Sequence, residues 1–170
     1  MHFDRFTLLR KPPEPVFSPT VADFDLYAGG RCYPNPGQGA WCIVLINHST
    51  GEGLEEWDTY PQTTNERMDL LSLIRGLSLV PEWKTVRVFV DSRNIYDGMT
   101  RWVHVWKDLG WRRPRADRPQ TKPLANADLW EKIDSLLSRR DVIVNRSYQQ
   151  NDEPILAVRQ RLRAETSSPS

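Results

Sequence analysis

Two aspartates occupy positions from which a carboxylate could do chemistry. Asp69 lies within the helix-like apolar run NERMDLLSLIRGLSL at 65–79, and Asp91 directly follows the apolar run at 86–90. Two carboxylates can hold one Mg²⁺ weakly, because that ion keeps several waters and takes further ligands from a substrate phosphate. Acidic residues are mostly exposed, so the residue types alone favour solvated or capping residues over a metal site.

The segment 102–122 combines tryptophans at helical spacing with the densest group of cations in the chain. Cations of this kind bind the phosphates of nucleic acid. The formal net charge is only +1, so such an attraction must come from local clustering. Large aromatic residues are mostly buried, which favours packing for Trp111 and Trp130, whereas Trp102 and Trp106 fit packing and ligand contact equally. The cations are Lys107, Arg112, Arg113, Arg115, Arg118 and Lys122.

The composition is that of one soluble domain. A chain of 170 residues with 39% hydrophobic and 26% charged residues can bury a core without disulfides or a structural metal. No apolar run approaches a membrane span, so membrane insertion is not expected. Cys32 and Cys42 show no metal-ligand spacing and are expected to be free thiols, which places the protein inside the cell in a reducing compartment.

The elements that must position these residues follow the order βββαβααβα. Short apolar runs at 24–27, 40–46 and 54–60 predict an antiparallel meander, and helical spacing follows at 65–79 with Thr64 or Asn65 as its cap. A strand at 86–90, a helical pair at 93–108, a Pro/Arg-rich loop, a helix capped by Asn126, a strand at 142–144 and a helix at 153–164 complete the order. This predicts an α/β fold with a five-stranded mixed sheet, three antiparallel strands and then two parallel. The predicted domain spans 22–164, between a flexible proline-rich arm at 1–21 and a disordered tail at 165–170.

Four segments resemble bacterial-type ribonuclease H in order and spacing. LYAGGRCYPNPGQGAW at 26–41 is similar to the family's strand running into T-D-G-S-C and then N-P-G, and TTNERMDLL at 63–71 resembles T-x-N-x-R-M-E-L. FVDSRNIYDGMTRWVHVWKDLGW at 89–111 matches a strand ending in D-S followed by a tryptophan-rich protrusion. KPLANADLW at 122–130 resembles K-P-V-x-N-x-D-L-W. The resemblance covers about 22–162 and implies the ribonuclease H-like fold.

The resemblance implies a two-magnesium site for hydrolysis of RNA in RNA/DNA hybrids, held by four carboxylates. Asp69 and Asp91 fall on two of these positions, whereas Gly29 and Ile155 replace the other two. The family's histidine loop is shortened to SYQQ at 147–150. Asp152 or Glu153 could substitute for the ligand missing at Ile155, with a different geometry. Catalysis is therefore expected to be impaired, and Mg²⁺ binding to be weak if it occurs.

The resemblance also implies contacts with nucleic acid. Asn35 and Thr64 match phosphate and backbone contacts, Asn65 and Arg93 match contacts in the RNA minor groove, and Trp102 and Trp106 match the protrusion that cradles the DNA strand. Glu66 departs from the family's usual amide. The candidate contact residues are Asn35, Thr64, Asn65, Arg93, Trp102, Trp106, Lys107, Arg112, Arg113, Arg115 and Arg118.

Three functions are compatible with these features. One is a non-catalytic domain that binds an RNA/DNA hybrid or structured RNA, alone or within a nucleoprotein complex. Another is an active Mg²⁺-dependent ribonuclease H, favoured by Asp69 and Asp91. The third is a scaffold subunit for protein partners, favoured by the near-neutral net charge.

Overall fold

A computed structural model of the chain describes residues 6–9, 22–147 and 151–167. Its main sheet has six strands in the order β1-β4-β3-β2-β5-β8, and a separate hairpin pairs β6 with β7. The strands are β1 (Phe6–Leu9), β2 (Phe24–Cys32), β3 (Gly37–Asn47), β4 (Glu52–Thr63), β5 (Thr85–Val90), β6 (Arg112–Arg115), β7 (Arg118–Pro123) and β8 (Asp141–Arg146).

The pairing of the central strands is the one that the sequence predicts. β2, β3 and β4 are antiparallel neighbours, and β5 and β8 run parallel to β2. Because β2 and β5 are parallel, Ala28 pairs with Val90, and the residues that follow them emerge at the same edge of the sheet. That edge holds the candidate site.

The helices are α1 (Asn65–Leu79), α2 (Arg93–Asp97), α3 (Val103–Asp108), α4 (Ala127–Leu137) and α5 (Glu153–Thr166), with a π-helical turn at Gly98–Trp102 joining α2 to α3. Thr64 caps α1, its hydroxyl accepting a hydrogen bond from the Arg67 amide. Ser92 caps α2 in the same way, bonding the Ile95 amide. Thr64 directly precedes the helix that carries Asp69, and Ser92 directly follows Asp91, so both caps fix the backbone beside a site residue.

Alternating side chains divide the core between the two faces of the sheet. Leu26 and Ala28 of β2 pack on the face covered by α1, whereas Tyr27 lies in the core on the face covered by α5 and stacks on Phe89 with ring centroids 4.5 Å apart. Period-two alternation explains this division. The core residues beneath α5 are Tyr27, Ala40, Cys42, Val44, Ile46, Phe89, Ile155, Val158 and Leu162.

Four features differ from the sequence-based expectations. Residues 6–9, assigned to the flexible arm, form a strand that pairs antiparallel with β4; the rest of the arm lies outside the described residues. The expected Pro/Arg-rich loop is the hairpin β6–β7, because Arg112 and Arg113 pair with Pro123 and Lys122. The last helix extends to Thr166, into the segment expected to be a disordered tail.

The fourth difference concerns Asn126. It stands at the N-cap of α4 as expected, but its side chain makes no capping bond and its backbone is left-handed, with φ 57°. The Asn126 side-chain nitrogen Nδ2 instead donates to Glu66 Oε2 at 2.6 Å, and its side-chain oxygen Oδ1 accepts from Arg67 Nη1 at 3.0 Å. Asn126 therefore ties α4 to the first turn of α1.

Two smaller observations bear on the composition. Both cysteines are free and buried, as expected from their number and spacing. Among the residues that the structure describes, none of the helices has the length and apolar character needed to cross a membrane.

Candidate functional site

The four positions singled out by the sequence meet in one cleft. Gly29 lies near the end of β2, Asp69 in the first half of α1, Asp91 directly after β5 and Ile155 in the first turn of α5. The parallel pairing of β2 and β5 brings the first and third positions together, and α1 and α5 cover opposite faces of the same sheet edge. Gly30 permits the close approach of α1, since a Cβ there would lie 2.2 Å from the Asp69 nitrogen.

Asp91 is engaged by a bidentate ion pair. Arg159 Nε donates to Oδ2 at 2.9 Å and Arg159 Nη2 donates to Oδ1 at 2.8 Å. The Ser147 hydroxyl donates to Oδ1 at 2.8 Å. Burial opposes ionisation of this carboxyl, but the hydrogen bonds from Arg159 and Ser147 outweigh it and hold the pKa of Asp91 below its usual value. Asp91 is thus an ionised carboxylate whose two oxygens already have cationic and hydroxyl partners.

Asp69 has the opposite electrostatics. Its Oδ1 accepts a hydrogen bond from the Gly30 amide at 2.8 Å. Desolvation by burial raises the pKa of Asp69 to about 7. The hydrogen bond from the Gly30 amide lowers this pKa, whereas the nearby negative charges of Asp91 and Glu66 raise it further. Near neutral pH a large share of Asp69 is therefore protonated, and a protonated carboxyl is a poor ligand for a hard cation.

Apolar side chains fill the space around Gly29 and Ile155. Ile155 is buried, and Val158 and Leu162 of the same helix lie over β2. A Cβ built on Gly29 would meet Leu162 Cδ1 and Val158 Cγ1, each at 3.2 Å. A side chain at position 29 would therefore enter an apolar wall.

These residues do not fit a two-magnesium site. Mg²⁺ requires oxygen ligands in near-octahedral arrangement, and the cleft offers one carboxylate in an ion pair with Arg159 and one whose Oδ1 accepts from the Gly30 amide. Asp152 and Glu153 do not supply the missing ligands: across 22–147 and 151–167, no group of three or more acidic, histidine or cysteine side chains is placed to share a metal.

The second candidate region is a groove of about 430 Å³ between the helical protrusion and the hairpin. Trp102, Arg113 and Arg115 line it, and Glu66 and Asp97 contribute acidic groups to its wall. Trp102 is 44% exposed, so it presents an aromatic face to a ligand. The groove combines an accessible ring with cations, as a surface for a phosphate backbone would.

Several predicted contact residues have structural partners instead. Trp106 is only 9% exposed and packs edge-on against Trp130, with centroids 5.0 Å apart. Lys107 pairs with Asp134 at 2.8 Å, and Arg112 Nε donates to Thr121 within the hairpin at 2.7 Å. Arg93 is exposed and lies 3.5 Å from Asp97. Arg118 belongs to β7, and its side chain lies outside the described part of the chain.

The predicted backbone contacts Asn35, Thr64 and Asn65 form one cluster. The Asn65 side-chain oxygen accepts from the Cys32 amide at 2.6 Å, and the Asn65 amide donates to the Asn35 side-chain oxygen at 3.2 Å. The Cys32 thiol donates to the Gly37 and Thr63 carbonyls, so this cysteine holds the turn together. The cluster docks the β2–β3 turn onto the start of α1.

Arg159 and Ser147 are the site residues that sequence reasoning missed. Arg159 lies one helical turn after Ile155, so helical spacing alone puts the two side chains on one face of α5. Ser147 follows the last residue of β8 and is the next strand-end position along the edge after Asp91. Neither signal by itself indicates that Arg159 and Ser147 bond Asp91, because the three residues lie on different elements.

Comparison with known proteins places this architecture in a family. The family profile described as RNase H matches residues 22–146. A ribonuclease H of Rhodospirillum rubrum is 38% identical over 118 residues, which are 69% of this chain and 67% of that protein.

Two solved structures show the same fold. LC9-RNase H1, a type 1 RNase H with the type 2 active-site motif, superposes with a TM-score of 0.68 at 23% identity, covering 88% of this chain and 74% of that one. LC11-RNase H1 in complex with an RNA/DNA hybrid superposes with a TM-score of 0.54 at 17% identity, covering 85% and 99%. The profile match and the relative's identity together show that this chain belongs to the ribonuclease H family.

Proposed function

We propose that this protein is a ribonuclease H-like domain that binds nucleic acid, RNA/DNA hybrid or structured RNA, with little or no hydrolysis. The observation that carries the proposal is the bidentate contact of Arg159 with Asp91, at 2.9 and 2.8 Å, in a cleft where Gly29 and Ile155 replace two ligands. A two-metal mechanism needs a metal on each side of the scissile phosphate. The proposed loss of one ligand from each side removes the basis of that mechanism.

The binding part of the proposal rests on the groove. Trp102 is exposed beside Arg113 and Arg115, and aromatic stacking with phosphate contacts is how proteins hold a nucleic-acid strand without reading sequence. LC11-RNase H1, which has the same fold, is known in complex with an RNA/DNA hybrid. A hybrid is therefore the first ligand to test.

The deciding experiment incubates the pure protein with end-labelled RNA/DNA hybrid in Mg²⁺ or Mn²⁺ and measures cleavage and retention together. We expect retention without cleavage above background. Metal-dependent cleavage by the wild type that disappears in Asp91→Asn would refute the loss of catalysis. Absence of retention on hybrid, double-stranded RNA and double-stranded DNA would refute the binding function and favour a scaffold for protein partners.

The alternative is an active Mg²⁺-dependent ribonuclease H. The observation in its favour is the relative from Rhodospirillum rubrum, which carries that name, together with the presence of Asp69 and Asp91 in one cleft. In this case Asp69→Asn and Asp91→Asn should each abolish cleavage. The incubation described above separates the two functions directly.

A further inference from the structure

The charge balance of the cleft differs from that of a four-carboxylate metal site. Four ionised carboxylates form an anionic patch that repels a phosphate backbone unless metal ions neutralise it. Here Gly29 and Ile155 contribute no charge, and the charge of Asp91 is balanced by Arg159. Asp69 is the remaining acid among the residues that line this cleft, and its Oδ1 accepts a hydrogen bond from the Gly30 amide at 2.8 Å.

We propose that Arg159 is the resident cation of this cleft, taking the place of the catalytic metal ions, so that nucleic acid binds over the cleft without any divalent ion. This inference rests on the proposed nucleic-acid function and adds the source of the positive charge to it. The inferred role of Arg159 is to position and balance the charge of Asp91, a role that metal ions would fill in a hydrolytic site.

The guanidinium is held from two elements besides its own helix. Nε and Nη2 bond both oxygens of Asp91 after β5, and Nη2 also donates to the Ser147 carbonyl after β8 at 2.9 Å. Ser147 is itself fixed, since its amide donates to the Val90 carbonyl at 2.9 Å. Charge-assisted bidentate bonds are among the strongest hydrogen bonds in proteins. A metal ion that binds Asp91 would have to break these hydrogen bonds.

The same helix keeps the guanidinium in register with the cleft. Val158 and Leu162 pack in the core over β2, on either side of Arg159 in the sequence of α5. Their burial fixes the rotation of the helix about its axis. The position of Arg159 is therefore determined by core packing, and its charge stays in the cleft whether or not a ligand is present.

Fluorescence anisotropy on labelled hybrid tests the inference, in EDTA and in Mg²⁺ at matched ionic strength. We expect the wild-type affinity to be the same in both buffers within about twofold, because no metal takes part. Arg159→Gln leaves Asp91 uncompensated and should weaken binding in EDTA by about fivefold, the effect of one unit charge near a phosphate in water. Arg159→Lys loses the bidentate geometry but retains the unit charge, and should therefore stay within about twofold of wild type.

Arg163→Gln is the matched control, because Arg163 is an exposed cation on the same helix. It should leave the affinity within about twofold of wild type in either buffer. Circular dichroism melts establish that each variant is folded before its affinity is compared. Wild-type binding that falls on chelation, or Arg159→Gln and Arg159→Lys that bind equally to each other, would overturn the role of the arginine.

Electron paramagnetic resonance of Mn²⁺ with the protein alone makes the inference independent of hybrid binding. We expect no bound Mn²⁺ in the wild type, and submillimolar binding would overturn the proposal. Should the wild type bind no hybrid in either buffer, the proposed nucleic-acid function fails. The Mn²⁺ measurement then still decides whether Arg159, instead of a metal, neutralises the cleft.

Discussion

At the scale of single residues, the two remaining carboxylates have opposite electrostatic situations a short distance apart. Arg159 and Ser147 stabilise the ionised form of Asp91, whereas desolvation favours the protonated form of Asp69. In a metal site both would be ionised and would share a cation. Here each carboxyl has a protein partner of its own, a guanidinium for Asp91 and a backbone amide for Asp69.

Asp69 should make the free energy of unfolding fall as the pH rises. The folded protein keeps the Asp69 proton up to about pH 7, whereas an unfolded aspartate loses it near 4. Between these values the unfolded state binds fewer protons, so stability decreases with increasing pH, on the order of 4 kcal/mol in total. Asp69→Asn should remove this decrease and be more stable than wild type at pH 8. Urea unfolding at pH 5, 6, 7 and 8 measures it.

Asp128→Asn is the control for this experiment, because Asp128 is exposed and pairs with Arg67. Arg67 holds the pKa of Asp128 below its usual value, so its contribution to stability is constant above pH 5 and lost only in acid. An Asp69→Asn variant whose pH dependence between 5 and 8 matches that of wild type would contradict the raised pKa of Asp69.

At the scale of elements, the hairpin and the helical protrusion together form a groove that only some of the predicted cations line. Of the cations predicted from sequence, Lys107 and Arg112 have partners in the fold, whereas Arg113 and Arg115 line the groove. The hairpin accounts for part of this division, since Arg112 bonds Thr121 of the facing strand while Arg113 and Arg115 reach the groove. The groove therefore depends on the hairpin and not on the number of basic residues.

Arg113→Ser combined with Arg115→Ser should weaken hybrid binding and flatten its salt dependence. Each phosphate contact contributes a slope of about −0.9 in log K against log salt on duplex, so the slope should become shallower by nearly two units. Arg139→Ser is the control, because Arg139 pairs with Glu82 just beyond the C-terminal end of α4. Anisotropy at three salt concentrations measures the slopes. An unchanged slope in the double variant would show that the groove is not the contact surface.

The two tryptophans of the protrusion should separate binding from stability. Trp102→Ala removes an exposed ring, and loss of one stacking contact should weaken hybrid binding by about tenfold with little change in melting temperature. Trp106→Ala removes a buried ring from Trp130 and should lower the free energy of unfolding by about 3–5 kcal/mol. Thermal melts and anisotropy on both variants check this, and equal losses of stability in the two would contradict it.

At the scale of the whole molecule, the sheet extends beyond the strands that the family resemblance covers. The family profile matches 22–146, and β1 at Phe6–Leu9 adds a further strand to the edge formed by β4. An uncovered edge strand presents unpaired amides and carbonyls, which promote association with another chain. β1 therefore protects the edge of β4 at residues 53–56.

Deletion of residues 1–9 should expose that edge. The expected results are a melting temperature lower by several degrees, on the order of 1 kcal/mol of lost pairing, and association that increases with protein concentration. Deletion of residues 1–5 alone keeps β1 and serves as the control. Thermal melts and sedimentation velocity measure both effects. Identical behaviour of the two deletions would show that β1 does not contribute to the sheet in solution.

Sequence determined the fold of this protein and the location of its cleft. The features that predicted the fold are local: the period-two and helical patterns, Thr64 before α1, and the four motif segments. Local backbone preference and side-chain burial follow directly from such features. Strand order brings Gly29 and Asp91 to one edge, because parallel strands end at the same edge, and the motif segments put Asp69 and Ile155 on the helices that pack against it.

Tertiary structure alone decided what those residues contact. The partner of Asp91 is 68 positions away in α5, and no local pattern specifies a contact over such a separation. Trp106 packs in the core while Trp102 remains exposed, although both belong to the same tryptophan-rich segment. Electrostatics depends on the same three-dimensional distances, since desolvation and hydrogen bonds separate the pKa values of Asp69 and Asp91. The bidentate contact of Arg159 with Asp91 is visible only where α5, β5 and β8 meet.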